Sequence, residues 1–343
     1  MTRARDIGLA CGRLSPGPLN RISDVAGVSV GHRTLVDGDI RTGVTAIRPH
    51  AGDLFRDRPV AASHVLNGFG KSIGLMQVDE LGQLETPILL TNTLSVGTCG
   101  TALIRRAIAE NPAIGRRTST INPLVCECND GYLNDIQALA VTEADALAAL
   151  DATRAKFEVG AVGAGAGMSS YGFKGGIGSA SRQVVLDGAA FHLGTLVLAN
   201  FGRAGDLRLP DGRRIGPSPA TPAAPERGSV IVVVATDIPL DHRQLQRVIR
   251  RAGAGLAWTG SFYGHGSGDV FLGFTTANRT AHPAKSDLLG QRVIAEECID
   301  LLFEAAAEAT QEAVLDALAA AETTTGRAGH SRPGLHAILG TVV

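Results

Sequence analysis

The stretch Pro225-Glu-Arg-Gly-Ser229-Val-Ile-Val-Val-Val-Ala235 joins a polar, proline-rich segment to an uninterrupted apolar run. Six consecutive apolar residues follow Ser229, which is typical of a strand that is buried on both faces of a sheet. The preceding segment, 206–228, is rich in Pro, Arg and Gly and lacks periodicity, which favours an exposed loop. The sequence therefore predicts that a loop enters a buried strand at Ser229.

Ser229 is the candidate nucleophile at this junction. If the bond between Gly228 and Ser229 were cut, Ser229 would carry a free α-amine, with a pKa of roughly 7.7 to 8.0, beside its own hydroxyl. A serine at a chain start can thus supply its own general base. From composition alone, an ordinary hydroxyl at the start of a strand remains the favoured alternative.

The overall composition excludes some classes of partner. The 32 basic and 33 acidic residues give a net charge of -1 and are scattered along the 343-residue chain, so no extended field favours nucleic acid. No apolar stretch reaches the length of a signal peptide core or a membrane span, which predicts a cytoplasmic protein without membrane contact. The odd number of cysteines, 5, favours structural thiols.

Strand and helix patterns occur in blocks along the chain. Strand-like runs fall at 25–30, 43–48, 59–66, 87–91, 124–127, 195–199, 230–235 and within 260–274. Helical spacing occurs at 103–108, after a capping box that starts at Thr142, at 240–256 and over most of 287–321. Because strands and helices do not alternate strictly, we expect an α/β (α+β layered) fold with mixed sheets.

Two glycine-rich segments resemble nucleotide-binding loops only superficially. The run from Gly68 to Ser72 ends like a phosphate loop, but Val65 stands where the first glycine is needed. The run Gly163-Ala-Gly-Ala-Gly167 has its third glycine one position early for a dinucleotide fingerprint. We therefore expect close backbone packing or a substrate-lining loop there.

The histidines do not indicate a metal site. None of the 9 histidines is paired as HxH or HExxH, so the sequence predicts no metal and no cofactor. His265, in a glycine-rich turn, could act as a base, but a turn histidine is more often solvated. The remaining constellation for acyl transfer is Ser229, Asn200, Ser267 and Asp269.

Several motifs occur in a fixed order along almost the whole chain. They are Gly17-Pro-Leu-Asn20, Asp24-Val-Ala-Gly-Val-Ser-Val-Gly-His32, Arg41-Thr-Gly-Val-Thr45, Thr91-Asn-Thr93, Asp130-Gly-Tyr-Leu-Asn-Asp135, Gly172-Phe-Lys-Gly-Gly176, Gly228-Ser229 through Asp237, and Gly266-Ser-Gly-Asp269. By these motifs the sequence resembles the family of self-processing hydrolases that includes the L-aminopeptidase/D-Ala-esterase DmpA and the β-peptidyl aminopeptidase BapA.

The resemblance implies an architecture and a processing event. It implies one domain over 1–343, an αββα sandwich of the N-terminal-nucleophile type, cut by itself between Gly228 and Ser229. The α chain, 1–228, and the β chain, 229–343, would stay together in a homo-oligomer, a tetramer or larger.

The resemblance also implies roles for individual residues. Ser229 would be the nucleophile, Asn200 the donor to the oxyanion, and Ser267 with Asp269 would orient the nucleophile or its amine. Glu127 would bind the free ammonium group of the substrate. The implied reaction releases N-terminal residues from short peptides, amino-acid amides or esters through a Ser229 acyl-enzyme.

Two positions depart from the family pattern and keep alternatives open. Asn129 stands where the family commonly has a tyrosine that lines the substrate site, and Leu94 replaces a family histidine. These changes motivate a second hypothesis, a hydrolase of a non-peptide amide such as a pantetheine-like or ω-amino-acid amide. A third hypothesis is a catalytically degenerate binding scaffold. The sequence leaves the preference among α-, β- and D-amino-acid substrates open.

Overall fold

The computed structural model describes residues 2–217 and 226–339. Its strands are β1 (Ser29–Asp37), β2 (Ile40–Arg48), β3 (Asp57–Gly68), β4 (Ile88–Asn92), β5 (Leu124–Cys128), β6 (Ser169–Ser170), β7 (Phe173–Lys174), β8 (Gly176–Leu186), β9 (Ala189–Asn200), β10 (Leu207–Arg208), β11 (Arg214–Ile215), β12 (Arg227–Thr236), β13 (Gly266–Ala281), β14 (Thr324–Thr325) and β15 (Ser331–Arg332). Its α-helices are α1 (Leu75–Leu81), α2 (Val96–Glu110), α3 (Glu143–Asp151), α4 (His242–Ile249), α5 (Ala252–Trp258), α6 (Ile299–Ala320) and α7 (Leu335–Leu339).

Two mixed sheets form the centre of the fold. The first has the strand order β1-β2-β4-β5, and the second has the order β3-β13-β12-β9-β8. Each sheet contains one parallel pair, β4 with β5 and β12 with β13, while the other neighbours are antiparallel. Such pairing agrees with the expectation of mixed sheets rather than a doubly wound parallel sheet.

Helices cover the outer face of each sheet. One apolar cluster fills the space between the sheets and includes Leu90 of the first sheet and Ile231 of the second. A second cluster joins the first sheet to α2 and α3, and a third joins the second sheet to α4, α5 and α6. The layers therefore run helix, sheet, sheet, helix, which is the expected αββα sandwich.

The central strand β12 explains the apolar run after Ser229. Val230, Val232 and Val234 face the helices, whereas Ile231, Val233 and Ala235 face the first sheet. Because successive side chains point to opposite faces, a strand covered on both sides needs apolar residues at every position. Each buried valine or isoleucine stabilises the fold by about 1.5–3 kcal/mol.

Some predicted boundaries are wrong. The strand predicted at 25–30 begins at Ser29, because Ile22–Asp24 forms a 3-10 turn before it. The helix predicted over 240–256 is divided into α4 and α5. In α5, Gly255 lies so close to α6 that a Cβ there would be 2.3 Å from the Ala307 carbonyl oxygen. The helix predicted within 287–321 begins only at Ile299, after a 3-10 turn, because residues such as Leu288 are exposed and pack on nothing.

The predicted loop before Ser229 is also corrected in part. Within it, β10 pairs with β11, and β12 already begins at Arg227. The bond between Gly228 and Ser229 therefore lies inside a strand. The rest of the predicted loop, 218–225, lies outside the described residues.

Candidate active site

A cavity of about 820 Å³ opens at the N-terminal end of β12, beside Gly228 and Ser229. That volume lies in the range of pockets that hold small-molecule ligands. Charged, polar and aromatic residues from distant parts of the chain meet around it. Its lining consists of Phe69, Lys71, Thr93, Glu127, Asn129, Tyr132, Ser169, Asn200, Gly228, Ser229, His265, Gly266 and Arg332.

Ser229 lies between two strands that hold its backbone. It is opposite Asn200 of β9 on one side and Gly268 of β13 on the other. The side chain is buried, 5 % exposed, and alternation along β12 places it on the same face as Ile231. A Cβ at Gly268 would lie 2.6 Å from the Phe69 carbonyl oxygen, so only glycine fits beside the serine.

Gly228 is fixed by a close backbone approach. A Cβ at this position would lie 2.1 Å from the carbonyl oxygen of Asn200, which no real side chain tolerates. Glu226, just before it, is buried and accepts hydrogen bonds from the Ser261 hydroxyl (3.1 Å) and the Gly264 amide (3.0 Å). The backbone before Ser229 is therefore fixed at Gly228 by its contact with Asn200 and at Glu226 by the bonds from Ser261 and Gly264.

The side-chain amide of Asn200 has a fixed orientation. Its Oδ1 accepts from the Ser169 backbone N–H (2.9 Å), and its Nδ2 donates to the Asn129 backbone carbonyl (2.9 Å). Because an N–H and a C=O impose opposite requirements, the amide cannot be flipped without losing both bonds. Nδ2 has a second N–H, for which the described residues provide no acceptor, and Asn200 lines the cavity.

Glu127 supplies a buried carboxylate to the cavity. Its Oε1 accepts from the Lys71 backbone N–H (2.8 Å), and its Oε2 accepts from the Thr93 hydroxyl. The side chain is only 3 % exposed. A carboxylate with spare lone pairs in such a place can bind an ammonium group by charge-assisted hydrogen bonds.

Asn129 lies at the rim of the cavity, where it is exposed. Its Oδ1 accepts from the Gly131 N–H (2.9 Å), so the side chain closes a local turn of the backbone. Its backbone carbonyl receives the bond from Asn200. Asn129 therefore offers its side-chain NH₂ and the second lone pair of Oδ1 to a ligand.

Ser267 and Asp269 lie beside Ser229 but do not line the cavity. The Ser267 hydroxyl donates to Asp269 Oδ1 (2.7 Å), and both residues are fully buried. Because Gly268 between them shares the face of Ser229, alternation turns their side chains toward the helix layer. The structure thus brings Ser229, Asn200, Glu127 and Asn129 to one cavity, with the Ser267–Asp269 pair behind the strand.

The carboxyl of Asp269 is electrostatically unusual. Burial raises its pKa to about 6, against the lowering effect of the Ser267 hydrogen bond, and the negative charge of Glu226 adds to the increase. Its Oδ2 is buried without a hydrogen-bond partner among the described residues. A donor delivered near Ser229 would therefore be attracted to this group.

Five residues of the cavity were not singled out from the sequence. Lys71, Thr93 and Tyr132 lie in quoted segments but were given no role at the site, and Ser169 and Arg332 lie in none of the quoted motifs. His265, considered from the sequence as a possible base, does line the cavity. Only the fold brings these side chains together.

Other chemistry has little support in the described part of the chain. Residues 2–217 and 226–339 contain no group of three or more His, Cys, Asp or Glu side chains that could hold a metal ion. The five cysteines are free thiols, and four of them are buried. Over the same ranges, no helix has both the length and the apolarity needed to cross a membrane.

Comparison with known proteins decides the family. The sequence profile of peptidase family S58 matches residues 20–332. The chain belongs to peptidase family S58. The family membership predicted from the motifs is therefore confirmed, and this S58 peptidase is a serine hydrolase of the N-terminal-nucleophile type with aminopeptidase relatives.

Individual relatives agree with this assignment over nearly their full lengths. The β-peptidyl aminopeptidase BapA of Sphingosinicella microcystinivorans is 37 % identical over 355 residues, which cover 96 % of this chain and 88 % of the relative. The PH0078 protein from Pyrococcus horikoshii OT3 is 45 % identical with a TM-score of 0.93, covering 97 % of this chain and 96 % of that one.

A third relative bears on the fold. The L-aminopeptidase D-Ala-esterase/amidase from Ochrobactrum anthropi, described as a prototype for the serine aminopeptidases and a new variant among the Ntn hydrolase fold, has a TM-score of 0.90 at 36 % identity. The match covers 100 % of this chain and 98 % of that one. The predicted fold class is thereby confirmed.

Proposed function

We propose that this S58 peptidase cuts its own chain between Gly228 and Ser229 and then releases N-terminal residues from short peptides, amino-acid amides or esters. The observation that carries the proposal is the position of Ser229 at one cavity with Asn200 and Glu127. These three side chains supply a nucleophile, an oxyanion donor and an ammonium receptor. No other described cavity combines them.

The proposed self-cleavage is an acyl shift within the strand. The Ser229 hydroxyl attacks the Gly228 carbonyl carbon, its proton passes to the leaving amide nitrogen of Ser229, and the C–N bond breaks to give an ester. Water then hydrolyses the ester, which yields a Gly228 carboxylate and frees the Ser229 hydroxyl and α-amine. Glycine at 228 leaves the attacked carbonyl unshielded by a side chain.

Turnover repeats the acyl transfer with a bound substrate. The Ser229 α-amine takes the hydroxyl proton as Oγ attacks the substrate carbonyl, and the proton then goes to the leaving amine. The free N–H of Asn200 Nδ2 stabilises the developing oxyanion by roughly 3–4 kcal/mol. Water hydrolyses the acyl-enzyme and regenerates Ser229.

Two carboxylates have different tasks in this mechanism. Glu127 binds the ammonium group of the substrate and thereby selects peptides with a free N-terminus. Asp269, with Ser267, holds the α-amine that cleavage creates, and its unpartnered Oδ2 supports this role. Ser267 and Asp269 act as positioning residues, because neither lines the cavity.

The relatives support a peptide substrate but leave its backbone type open. One is described as a β-peptidyl aminopeptidase and another as an L-aminopeptidase with D-Ala-esterase and amidase activity. Asn129 lines the cavity with its side chain folded into a local turn, so it adds little bulk at the place where the family commonly has a tyrosine. A panel that compares α-, β- and D-aminoacyl p-nitroanilides with pantetheine-like and ω-amino-acid amides distinguishes these possibilities.

Intact-mass spectrometry of the purified protein tests the central claim. The wild-type chain is expected to give two fragments, one ending at Gly228 and one beginning at Ser229, and to hydrolyse aminoacyl p-nitroanilides. Ser229→Ala is expected to remain one inactive chain, whereas Ser229→Cys, which keeps a nucleophile, is expected to be cleaved. An uncleaved wild-type chain, or equal turnover by Ser229→Ala, would contradict the proposal.

A further inference from the structure

The cavity of Ser229 has a positive pole as well as a negative one. Glu127 and Arg332 both line the same space as Ser229. Their neighbours differ, because Glu127 bonds Lys71 and Thr93 whereas Arg332 lies over the Tyr132 ring. Arg332 belongs to the short strand β15, which pairs with β14 through Thr324. Its backbone is therefore held in place.

The guanidinium of Arg332 is held flat against an aromatic ring. Its central carbon lies 3.7 Å from the centroid of the Tyr132 ring, and that ring also stacks on His330 with centroids 4.6 Å apart. The His330 ring bonds the Tyr132 backbone carbonyl (2.8 Å), which fixes the pair. Stacking occupies the face of a guanidinium and leaves its N–H edges available for acceptors in its plane.

The donors of Arg332 are not fully satisfied by the protein. Its Nε is buried and has no hydrogen-bond partner among the described residues. Because Nε is buried, a ligand in the cavity meets the terminal nitrogens of the guanidinium, which have no hydrogen bond to any described residue. Unpaired donors at a cavity wall are available to an acceptor on the ligand. The planar fork of arginine matches a carboxylate, which accepts two parallel hydrogen bonds.

We propose that Arg332 binds the C-terminal carboxylate of the substrate, so that the enzyme prefers short peptides with a free C-terminus over the same peptides blocked as amides. This inference rests on the proposed function, in which Glu127 takes the ammonium group at the other end. Glu127 and Arg332 together would then select substrates by the distance between their two charged ends. Dipeptides and tripeptides, which carry both charges within a small volume, are the expected substrate class.

Lys71 is the rival cation in the same cavity. Its Nζ lies 4.7 Å from the centroid of Phe69, and its backbone N–H bonds Glu127, so it belongs to the ammonium-binding end. Arg327 offers a matched control, because it donates to the Gly131 carbonyl (3.3 Å) beside Tyr132 and does not line the cavity. A Lys71 variant tests whether any positive charge in the cavity has the same effect as Arg332. An Arg327 variant tests whether the effect comes only from support of the loop beside Tyr132.

The experiment compares kcat/KM for Ala-Ala and for Ala-Ala amide, with the matching β-alanyl pair run in parallel. The wild-type enzyme is expected to favour the free acid by roughly 10- to 100-fold, the range for hydrogen bonds to a charged group. Arg332→Met is expected to bring the ratio close to one, mainly through KM of the acid. Arg332→Lys is expected to restore part of the ratio, and Arg327→Met to leave it as in the wild type.

Self-cleavage of each variant, which needs no bound substrate, reports that its site has folded. A wild-type ratio near one, or a ratio that Lys71→Met abolishes and Arg332→Met does not, would overturn the carboxylate assignment while peptide hydrolysis itself persists. If the wild-type enzyme hydrolysed neither member of either pair and did not cleave itself, the proposed function would fail instead. A Ser229→Ala control separates these two results.

Discussion

At the scale of single residues, the charge state of Asp269 is set by its burial. The folded chain raises its pKa to about 6 from the ordinary value of 3.8, so the folded state holds the proton more tightly than the unfolded chain does. Ionisation therefore costs stability as the pH rises through this window. The proposed positioning of the Ser229 α-amine nevertheless requires the ionised form.

The pH profile of kcat/KM should show both groups. Activity is expected to fall about tenfold per pH unit below the α-amine pKa, roughly 7.7 to 8.0, and to fall more steeply below about pH 6, where Asp269 also gains a proton. Asp269→Asn is expected to lower kcat by roughly 100-fold and to lose the second break. A profile of Asp269→Asn that still steepens below pH 6 would contradict this assignment.

The stability of the uncleaved chain provides an independent check on the direction of the Asp269 pKa shift. In the uncleaved Ser229→Ala chain, Asp269→Asn is expected to raise the free energy of unfolding above pH 6 and to change it little near pH 4, because asparagine resembles the protonated acid. A gain confined to low pH would count against the raised pKa.

At the residue scale, the resemblance to a family named more of the site than local pattern did. Ser229 is marked by its position before the apolar run, and Asn200 and Glu127 were named through the resemblance; the fold places all three at one cavity, and their roles stay predictions. The sequence could not show that Asp269 lies behind the strand, since that depends on the register of β12 with β13. Arg332 carries no local signal, because its partner Tyr132 is two hundred positions away.

At the scale of elements, the loop before β8 is fastened by one buried ammonium group. Lys174 Nζ donates to the carbonyls of Gly165 (2.9 Å), Met168 (2.9 Å) and Gly175 (2.8 Å). The loop contains Ser169, whose backbone N–H fixes the Asn200 amide. Lys174 therefore supports Asn200, the proposed oxyanion donor, through the backbone of this loop.

Lys174→Met should uncouple this loop. The substitution removes three buried hydrogen bonds, although the Gly165 and Met168 carbonyls keep backbone donors from Met168 and Gly175. The free energy of unfolding is therefore expected to fall by roughly 3 kcal/mol. Urea unfolding in the Ser229→Ala background measures it on a single continuous chain. The exposed Lys156→Met is the matched control, with an expected change within about 0.5 kcal/mol. Equal effects of the two substitutions would show that the carbonyl contacts contribute nothing.

A strand could be predicted from sequence where both of its faces are buried, because every position is then apolar. The run after Ser229 could be assigned to a strand because alternate residues pack on the helices and on the first sheet. The start of α6 could not be placed from sequence, because 287–295 is compatible with a helix in composition, whereas in the fold Leu288 and Leu289 are exposed and the backbone of Arg292 and Ile294 is bonded by side chains of other elements. The hairpin of β10 and β11 was missed, since two-residue strands carry no periodic signal.

At the scale of the whole molecule, the layer order could be predicted but the sheet order could not. Runs of strands and helices in blocks favour packed layers, yet the order β3-β13-β12-β9-β8 depends on long-range pairing. A tetramer or larger assembly and a cytoplasmic location stay predictions. The sheet order has a direct consequence for the two proposed chains.

Cleavage at Gly228 would leave two chains that share one sheet. The β chain would contribute the adjacent strands β12 and β13, which pair with β9 and β3 of the α chain on either side. The α6 helix of the β chain would also remain packed on β8 and β9. Separation of the two chains would break two strand ladders and expose the central apolar run to water. The free-energy cost of doing so would exceed that of separating a typical protein–protein interface.

The two fragments are therefore expected to elute together in size-exclusion chromatography without denaturant and to separate only when urea unfolds the protein. Native mass spectrometry of the same fraction should show equal numbers of the two chains, whatever the number of copies in the assembly. Ser229→Ala provides the uncleaved reference, and it should elute at the same volume because cleavage leaves the strand pairing in place. Elution of the fragment 229–343 by itself in non-denaturing buffer would contradict the shared sheet, since β12 and β13 without β9 and β3 have unpaired edges on both sides.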